Sequence, residues 1–460
     1  MRRILAIASI SMRTAFRSRV VLTLLLLLGV IIIGIPLTVK GDGTLSGHIR
    51  ILIDYTLNFV RVILAIATIW AGCASISQEV DTKQIQMTMT KPVHPFQMWL
   101  GKWLGLLIPV FLLILFSGIT VYGMLMWNLR DARLTTAEKS ALRKSLLVGR
   151  IETMPEAPPD LSESIDNVIE IARKNNAISA DYSMSQLREA ARQNVIRTRQ
   201  TIAPGKSCNW LFSLPQRSDD KVLTIEYRAS SSTIGGIALT GRWRISDADS
   251  KVLYEKETIT TTKQDNQIDI PGHFLVGHSI LQVEYKNLDE RATVIFFPDD
   301  SIKVLSHAGG FEMTYFRTLL ILFLQIAFLA AIAVSMGAFF STPVAAFTSI
   351  FALLLVFMNN YIHDMANETQ YLGNSSLAAP GTASFNNFVN GAVHYVFIGL
   401  NTIVAPLRGA NALELCATGR YVSWRLLGSV FLYRIVIYCG IISILSAWIF
   451  KRRELALPQR

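Results

Sequence analysis

Apolar residues in this chain fall into long unbroken runs rather than the periods of two or 3.6 that mark half-buried strands and helices. Runs at about 20–39, 52–76, 103–127, 314–338, 342–360 and 429–450 carry almost no charge. A helix rises about 1.5 Å per residue, so runs of this length suit a hydrocarbon core of about 30 Å. Six membrane-spanning helices are predicted. The stretch AVHYVFIGLNTIVA (Ala392 to Ala405) would rise only about 21 Å, and the segment 391–406 reads as re-entrant or interfacial.

Between the third and fourth runs the pattern changes. In 128–310 the first part, 133–200, reads as helical: LTTAEKSALRKSLL, SESIDNVIEIARKN and SMSQLREAARQNVIRTRQ repeat apolar residues every three or four positions. Thr135 with Glu138, and Ser183 with Gln186, have capping-box spacing. From Lys221 the period becomes two in KVLTIEYR, IALTGRWRI, KVLYEKETI, ILQVEYKN and ATVIFF. Short alternating strands separated by turn residues predict an antiparallel β-sandwich over 207–306. The predicted fold class is an α-helical polytopic membrane protein with six transmembrane helices and a soluble α+β insert. It divides into 1–127, 128–310 and 311–460.

Composition agrees: 51% of the 460 residues are hydrophobic and only 17% charged, below the usual quarter of a soluble domain. The net charge of +11 is partly placed at the ends. The first 19 residues hold Arg2, Arg3, Arg13, Arg17 and Arg19 without an acid, and the end holds Lys451, Arg452, Arg453 and Arg460 against Glu454. Basic residues close to membrane spans favour the cytoplasmic side. Both termini are therefore expected inside a cell (inner or plasma) membrane, the number of spans even, and 128–310 extracytoplasmic. MRRILAIASISMRTAFRSR mixes apolar residues with arginines and reads as an interfacial helix rather than a cleaved signal; a frayed basic tail is the alternative. The expected surroundings are lipid, with no nucleic acid partner.

Candidate chemistry is sparse. Asp54, Asn58 and Arg61 share one face of the second run, and Arg434 lies within the sixth. Buried ionisable groups in spans usually face protein or a water-filled path, so these four are candidates for a pathway or gate; the other reading has Asp54 among headgroups and the arginines snorkelling. His273 and His278 lack a third ligand for a metal. Ala203–Ser207 (APGKS) resembles the end of a phosphate-binding loop, but Gln200 stands where its first glycine belongs. Asn367 and Asn374 head sequons that matter only in a eukaryotic secretory route. The four cysteines have no metal spacing, and a Cys208–Cys416 bridge is neither excluded nor supported. Tyr227, Trp243 and Tyr254 offer stacking faces for a ligand, yet aromatics in strands more often form core. No catalytic, cofactor-binding or metal-ligating set is expected, and no enzyme.

The loop between the second and third runs, 77–100, remains. It is short and amphipathic and is fixed at both ends to spans, as a coupling element requires, though an ordinary connector has the same outline. Lys102 at its end is placed to snorkel toward inner headgroups. Glu79, the run Gln84 to Thr90 (QIQMTMT), Lys91-Pro92-Val93 and LGKWLG (Leu100 to Gly105) together resemble the membrane subunits of ABC-2 type ABC transporters. FSTPVA (Phe340 to Ala345) and FKRREL (Phe450 to Leu455) resemble the turn between that family's fourth and fifth spans and its ending. Pro95 departs from the family, standing where a basic residue is frequent. The resemblance covers about 1–127 and 311–455. It implies a coupling helix within 79–98 that docks on a separate ABC ATPase, with Glu79, Gln84, Met87, Lys91, Pro92 and Val93 at the contact. It implies a second permease copy or a homologous permease as partner, and ATP bound by the partner subunit rather than this chain. An exporter is the expectation. Two others stand beside it: an ABC-driven mechanotransmitter acting on an extracytoplasmic partner, and a membrane-anchored receptor without ATPase.

Overall fold

The computed structural model describes residues 2–17, 19–38, 45–81, 94–130, 147–156, 161–175, 184–214, 222–232, 238–262, 264–275, 277–296, 302–367, 382–404 and 412–452. The chain divides into two compact units, Met1–Gly149 with Gly310–Arg460, and Arg150–Gly309.

The first unit is helical: α1 (Arg2–Arg17), α2 (Val20–Thr38), α3 (Leu45–Asp81) and α4 (Pro95–Arg130) precede the second unit. The helices of the second unit are α5 (Leu161–Lys174) and α6 (Met184–Arg199). The chain returns to the first unit with α7 (Phe311–Phe339), α8 (Thr342–Phe357), α9 (Asn359–Asn367), α10 (Thr382–Val404), α11 (Ala412–Ala417), α12 (Trp424–Val430) and α13 (Cys439–Arg452). A π-helical stretch, Phe431–Tyr438, joins α12 to α13. Among the described residues, four helical stretches are long and apolar enough to cross a membrane: Ile49–Ser77, Pro95–Leu129, Phe311–Phe339 and Trp424–Ile449. The number rises to six if each of two bent pairs forms one span, Arg2–Arg17 with Val20–Pro36 (60°) and Thr342–Phe357 with Tyr361–Asn367 (63°). Of the segment expected as a short re-entrant piece, residues 391–404 are part of the 23-residue α10, and the rest lies outside the described residues. Its polar beginning, TASFNNFVNG, continues the helix, which apolarity alone could not reveal.

Small residues bring these helices close. A Cβ on Gly72 would stand 2.7 Å from the Ala333 Cβ, and one on Gly337 would run into the Cys73 backbone. Helices without a hydrophobic drive between them associate through such close backbone packing. The Tyr315 hydroxyl on α7 donates to the Gly118 carbonyl of α4 at 2.8 Å. Ser341 and Pro343 start α8 in the turn after Phe339. At the end of α11, Gly419 takes a left-handed φ of 70°. Its N–H reaches the Cys416 carbonyl and that of Arg420 the Leu415 carbonyl, the paired bonds of a Schellman cap.

The second unit holds strands β1 (Val148–Thr153), β2 (Thr201–Ile202), β3 (Ser207–Ser213), β4 (Leu223–Ser231) and β5 (Ala238–Asp247). These are followed by β6 (Val252–Thr261), β7 (Asp265–Ile270), β8 (Ile280–Asn287), β9 (Val294–Phe296) and β10 (Ile302–Gly310). One sheet runs β1-β10-β4-β9-β2 with β7 also paired to β4; the other runs β3-β8-β5-β6. Leu223, Ile225 and Tyr227 of one sheet share a core with Trp210, Trp243, Ile245 and Tyr285 of the other. The Trp243 ring lies 4.6 Å from that of Tyr227 and 4.9 Å from that of Tyr285. α5 and α6 pack together through Ile165, Ile169, Ala191 and Val195. Within the stretch expected to be helical, 148–153 is a strand instead. It is rich in β-branched residues and pairs with β10, a partner about 150 positions away that no local period signals. The pairs headed by Thr135 and Ser183 fall outside the described residues.

Candidate functional site

Two polar assemblies stand out in the first unit. The earlier one lies where α3 ends and α4 begins. Glu79 is described, whereas Gln84, Met87, Lys91, Pro92 and Val93 lie outside the described residues. The Glu79 carboxylate accepts from the Lys102 ammonium at 2.7 Å, and the same ammonium donates to the Ser75 carbonyl at 2.5 Å. Lys102 does not snorkel: it is 4% exposed, against 35% for the Glu79 side chain. A lysine is tolerated there because the carboxylate and the carbonyl replace its water. The pair clasps the two ends of the 80–101 segment.

The LGKWLG string proves to be a helix with three working faces. Gly101 and Gly105, one turn apart, meet α1, where an added Cβ would stand 2.7 Å from the Ile7 Cβ or from the Ala8 carbonyl oxygen. Lys102 faces α3. Trp99 and Trp103 face α7: their rings stack at 5.7 Å, and their indole N–H groups donate to the Ser335 hydroxyl and the Ala327 carbonyl, each at 2.9 Å. Thr342, at the start of α8, donates to the Ser77 hydroxyl at 2.8 Å. Three neighbouring helices, α1, α7 and α8, are thus tied to the base of α3 and α4.

The second assembly is a cavity of about 360 Å³ lined by Arg50, Asp54, Asn58 and Arg61 of α3, and by Leu413, Glu414, Ala417 and Thr418 at α11. Spacings of three and four put the α3 members on one helix face. The Asn58 amide donates to the Asp54 carboxylate at 2.7 Å. Asp54 and Glu414 are close enough to repel each other, while Arg50 and Arg61 attract Asp54. The Arg61 guanidinium lies 4.8 Å above the Phe357 ring, and its Nε is buried without a hydrogen-bond partner. Arg434 sits in the π-helical stretch, 4% exposed, near enough to feel the Arg61 charge. Burial of that order removes the snorkelling alternative for Arg434, and wide helical turns often accompany functional positions.

Sequence reasoning missed Glu414 and Arg317. Arg317, 5% exposed on α7, donates to the Val422 carbonyl at 2.7 Å and lies 4.8 Å from both the Tyr421 and Trp424 rings. The tyrosine and tryptophan three residues apart in YVSW were the available signal, a pair of π faces on one side of a turn.

In the second unit the candidate stacking residues are structural: Tyr227 and Trp243 are core, and the Tyr227 hydroxyl pairs with that of Thr260 at 2.9 Å. Tyr254 is partly buried against the same core. His278 pairs with Asp247 at 2.7 Å, and among the described residues no group of three or more His, Cys, Asp or Glu side chains could hold a metal. Burial pushes the Cys208 thiol up to about 11, so its reactive thiolate is scarce at neutral pH. Burial also draws the Arg150 guanidinium down against the opposing pull of Glu226 and Asp269. On the other sheet, Arg242–Glu257 (2.6 Å) and Arg244–Glu255 (3.3 Å) form a solvent-facing ladder that contributes little stability.

The class of molecule is thus a helix-rich chain with, among the described residues, four to six helices long and apolar enough to cross a membrane, and a separate β-rich unit. No protein-family model matches the chain, and no curated protein does.

Proposed function

We propose that this chain is the permease subunit of an ABC-2 type transporter, an exporter with six spans and cytoplasmic termini. In this reading 128–310 is extracytoplasmic, and the segment around 79–98 receives the stroke of a separate ATPase. The clasp between Glu79 and Lys102 supports it most. A segment that transmits displacement must be held at both ends, and this one leaves two long apolar helices whose bases are bonded to each other. The order of Glu79, QIQMTMT, KPV and LGKWLG along the chain supports it independently. ATP binding closes the motor, the motor moves the clasped segment, and α3, α4 and their neighbours rearrange around the polar cavity. A second permease copy, or a homologue, completes the pathway.

The β-rich unit favours a second reading, in which the stroke works on an extracytoplasmic partner. Deleting 150–309 abolishes all function in that case, while an exporter retains flux.

The test begins with orientation. Of the native cysteines, Cys73, Cys416 and Cys439 are buried, so Thr88→Cys gives a clean reporter in a Cys208→Ser background. A membrane-impermeant maleimide is expected to label it in inverted vesicles and not in intact cells. The same tagged chain is expected to co-purify an ABC ATPase. Labelling in intact cells would refute the arrangement.

A further inference from the structure

The cavity between α3 and α11 carries charges that the coupling mechanism does not use. Its volume, about 360 Å³, lies at the small end of the ~300–1,000 Å³ typical of ligand sites. Its charges form an ordered pattern along α3: Arg50, Asp54, Asn58, then Arg61, with Glu414 on the opposite wall. Two carboxylates repel each other across it, and a cation between them would remove that repulsion. At its far end along α3, Arg61 presents a guanidinium whose Nε is buried without a partner. The guanidinium carbon lies 4.8 Å over the Phe357 ring, and the fork geometry of guanidinium matches a carboxylate or phosphate. A simple anion would meet Asp54 and Glu414 as like charges, and a simple cation would meet Arg50 and Arg61. A ligand carrying both signs a few ångströms apart satisfies all of them.

We infer that this cavity binds a compact zwitterion, its ammonium between Asp54 and Glu414 and its oxyanion, phosphate or carboxylate, at Arg61. Arg50 closes the other side of the carboxylates and limits how much excess positive charge the site accepts. Leu413 and Ala417 supply the apolar wall for the short carbon link between the two charged groups. Two sources share this chemistry, the headgroup of an amino-phospholipid and a free zwitterionic solute. The inference needs neither an ATPase nor a direction of transport, so it stands or falls separately from the permease reading.

The full chain, purified in detergent and stripped of lipid, is titrated with O-phosphoethanolamine, inorganic phosphate and ethanolamine, and binding is followed by calorimetry. Phosphoethanolamine is expected to bind at least about 10-fold more tightly than either single-charge probe, as the loss of one desolvated charge partner would give. Arg61→Gln and Glu414→Gln, on opposite walls, are each expected to weaken it by about 10-fold or more, with size-exclusion behaviour and helicity unchanged. In vesicles of phosphatidylethanolamine or phosphatidylglycerol, selective co-purification of the former, lost in Arg61→Gln, identifies the lipid as the source. Binding of the soluble probe without lipid selectivity identifies a solute. Equal affinity for all three probes, or binding unchanged in both folded variants, would overturn the inference.

Discussion

The clasp between Glu79 and Lys102 can be measured as a coupling energy. Two unit charges 2.7 Å apart attract by about 6 kcal/mol at an effective dielectric of about 20. Much of that is offset by drying the lysine, and removing one partner of a buried pair typically costs about 3–5 kcal/mol. Because Glu79 keeps 35% of its exposure, Glu79→Gln is expected to fall below that range, at about 2–3 kcal/mol. Lys102→Met removes the buried charge together with its partner's need for it and is expected to cost about 1–2 kcal/mol, mainly through the unpaired Ser75 carbonyl. The double variant is then little worse than Lys102→Met alone. The two singles therefore over-predict the double by about 2 kcal/mol. Reversible unfolding in mixed micelles, followed by helical circular dichroism, reads each value. Additivity within about 0.5 kcal/mol would show that the two groups do not hold each other, and the argument for a clasped segment would lose its footing.

Two further perturbations probe the neighbouring helices. Gly105→Val forces a branched side chain toward the Ala8 carbonyl and the Ser11 Cβ, each 2.7 Å from even a first carbon. It is expected to lift α1 off α4 at a cost of about 1–3 kcal/mol, seen as faster maleimide labelling of Ser11→Cys. Arg317→Lys keeps the charge but not the flat face between Tyr421 and Trp424. It is expected to lose about 1–2 kcal/mol and to speed proteolysis around the α11–α12 turn, and unchanged cleavage would count against a clamping role.

What could be read from the residues alone follows from how local the cause is. Alternation in KVLTIEYR places Ile225 and Tyr227 inward because a strand's side chains alternate faces whatever lies around it, and both are core. Trp243 follows Ile245 inward for the same reason. Long apolar runs likewise announce themselves, since their cause is the solvent rather than a partner. Everything that depends on a distant partner was hidden. The strand Val148–Thr153 exists because β10 offers it an edge. The fate of Lys102 depends on Glu79, 23 positions earlier, and snorkelling was the natural expectation for a lysine at a membrane border. Glu414 entered the polar cavity only because α11 folds back against α3. Asp54, Asn58 and Arg61 were found because helical spacing alone puts them together, whereas the proximity of Arg434 to them required tertiary structure.

The seven residues from Trp99 to Gly105 address three helices from about two turns of α4, and that makes the stretch intolerant of phase error. A single inserted residue would advance everything after it by about 100° around the axis. Glycines would then point where the ammonium belongs and indoles where a smooth backbone groove is needed, so the whole set would be misdirected at once. Conservative side-chain swaps leave that angular code intact, so deletion and insertion scanning is the sharper tool for finding where α4 keeps time with its neighbours.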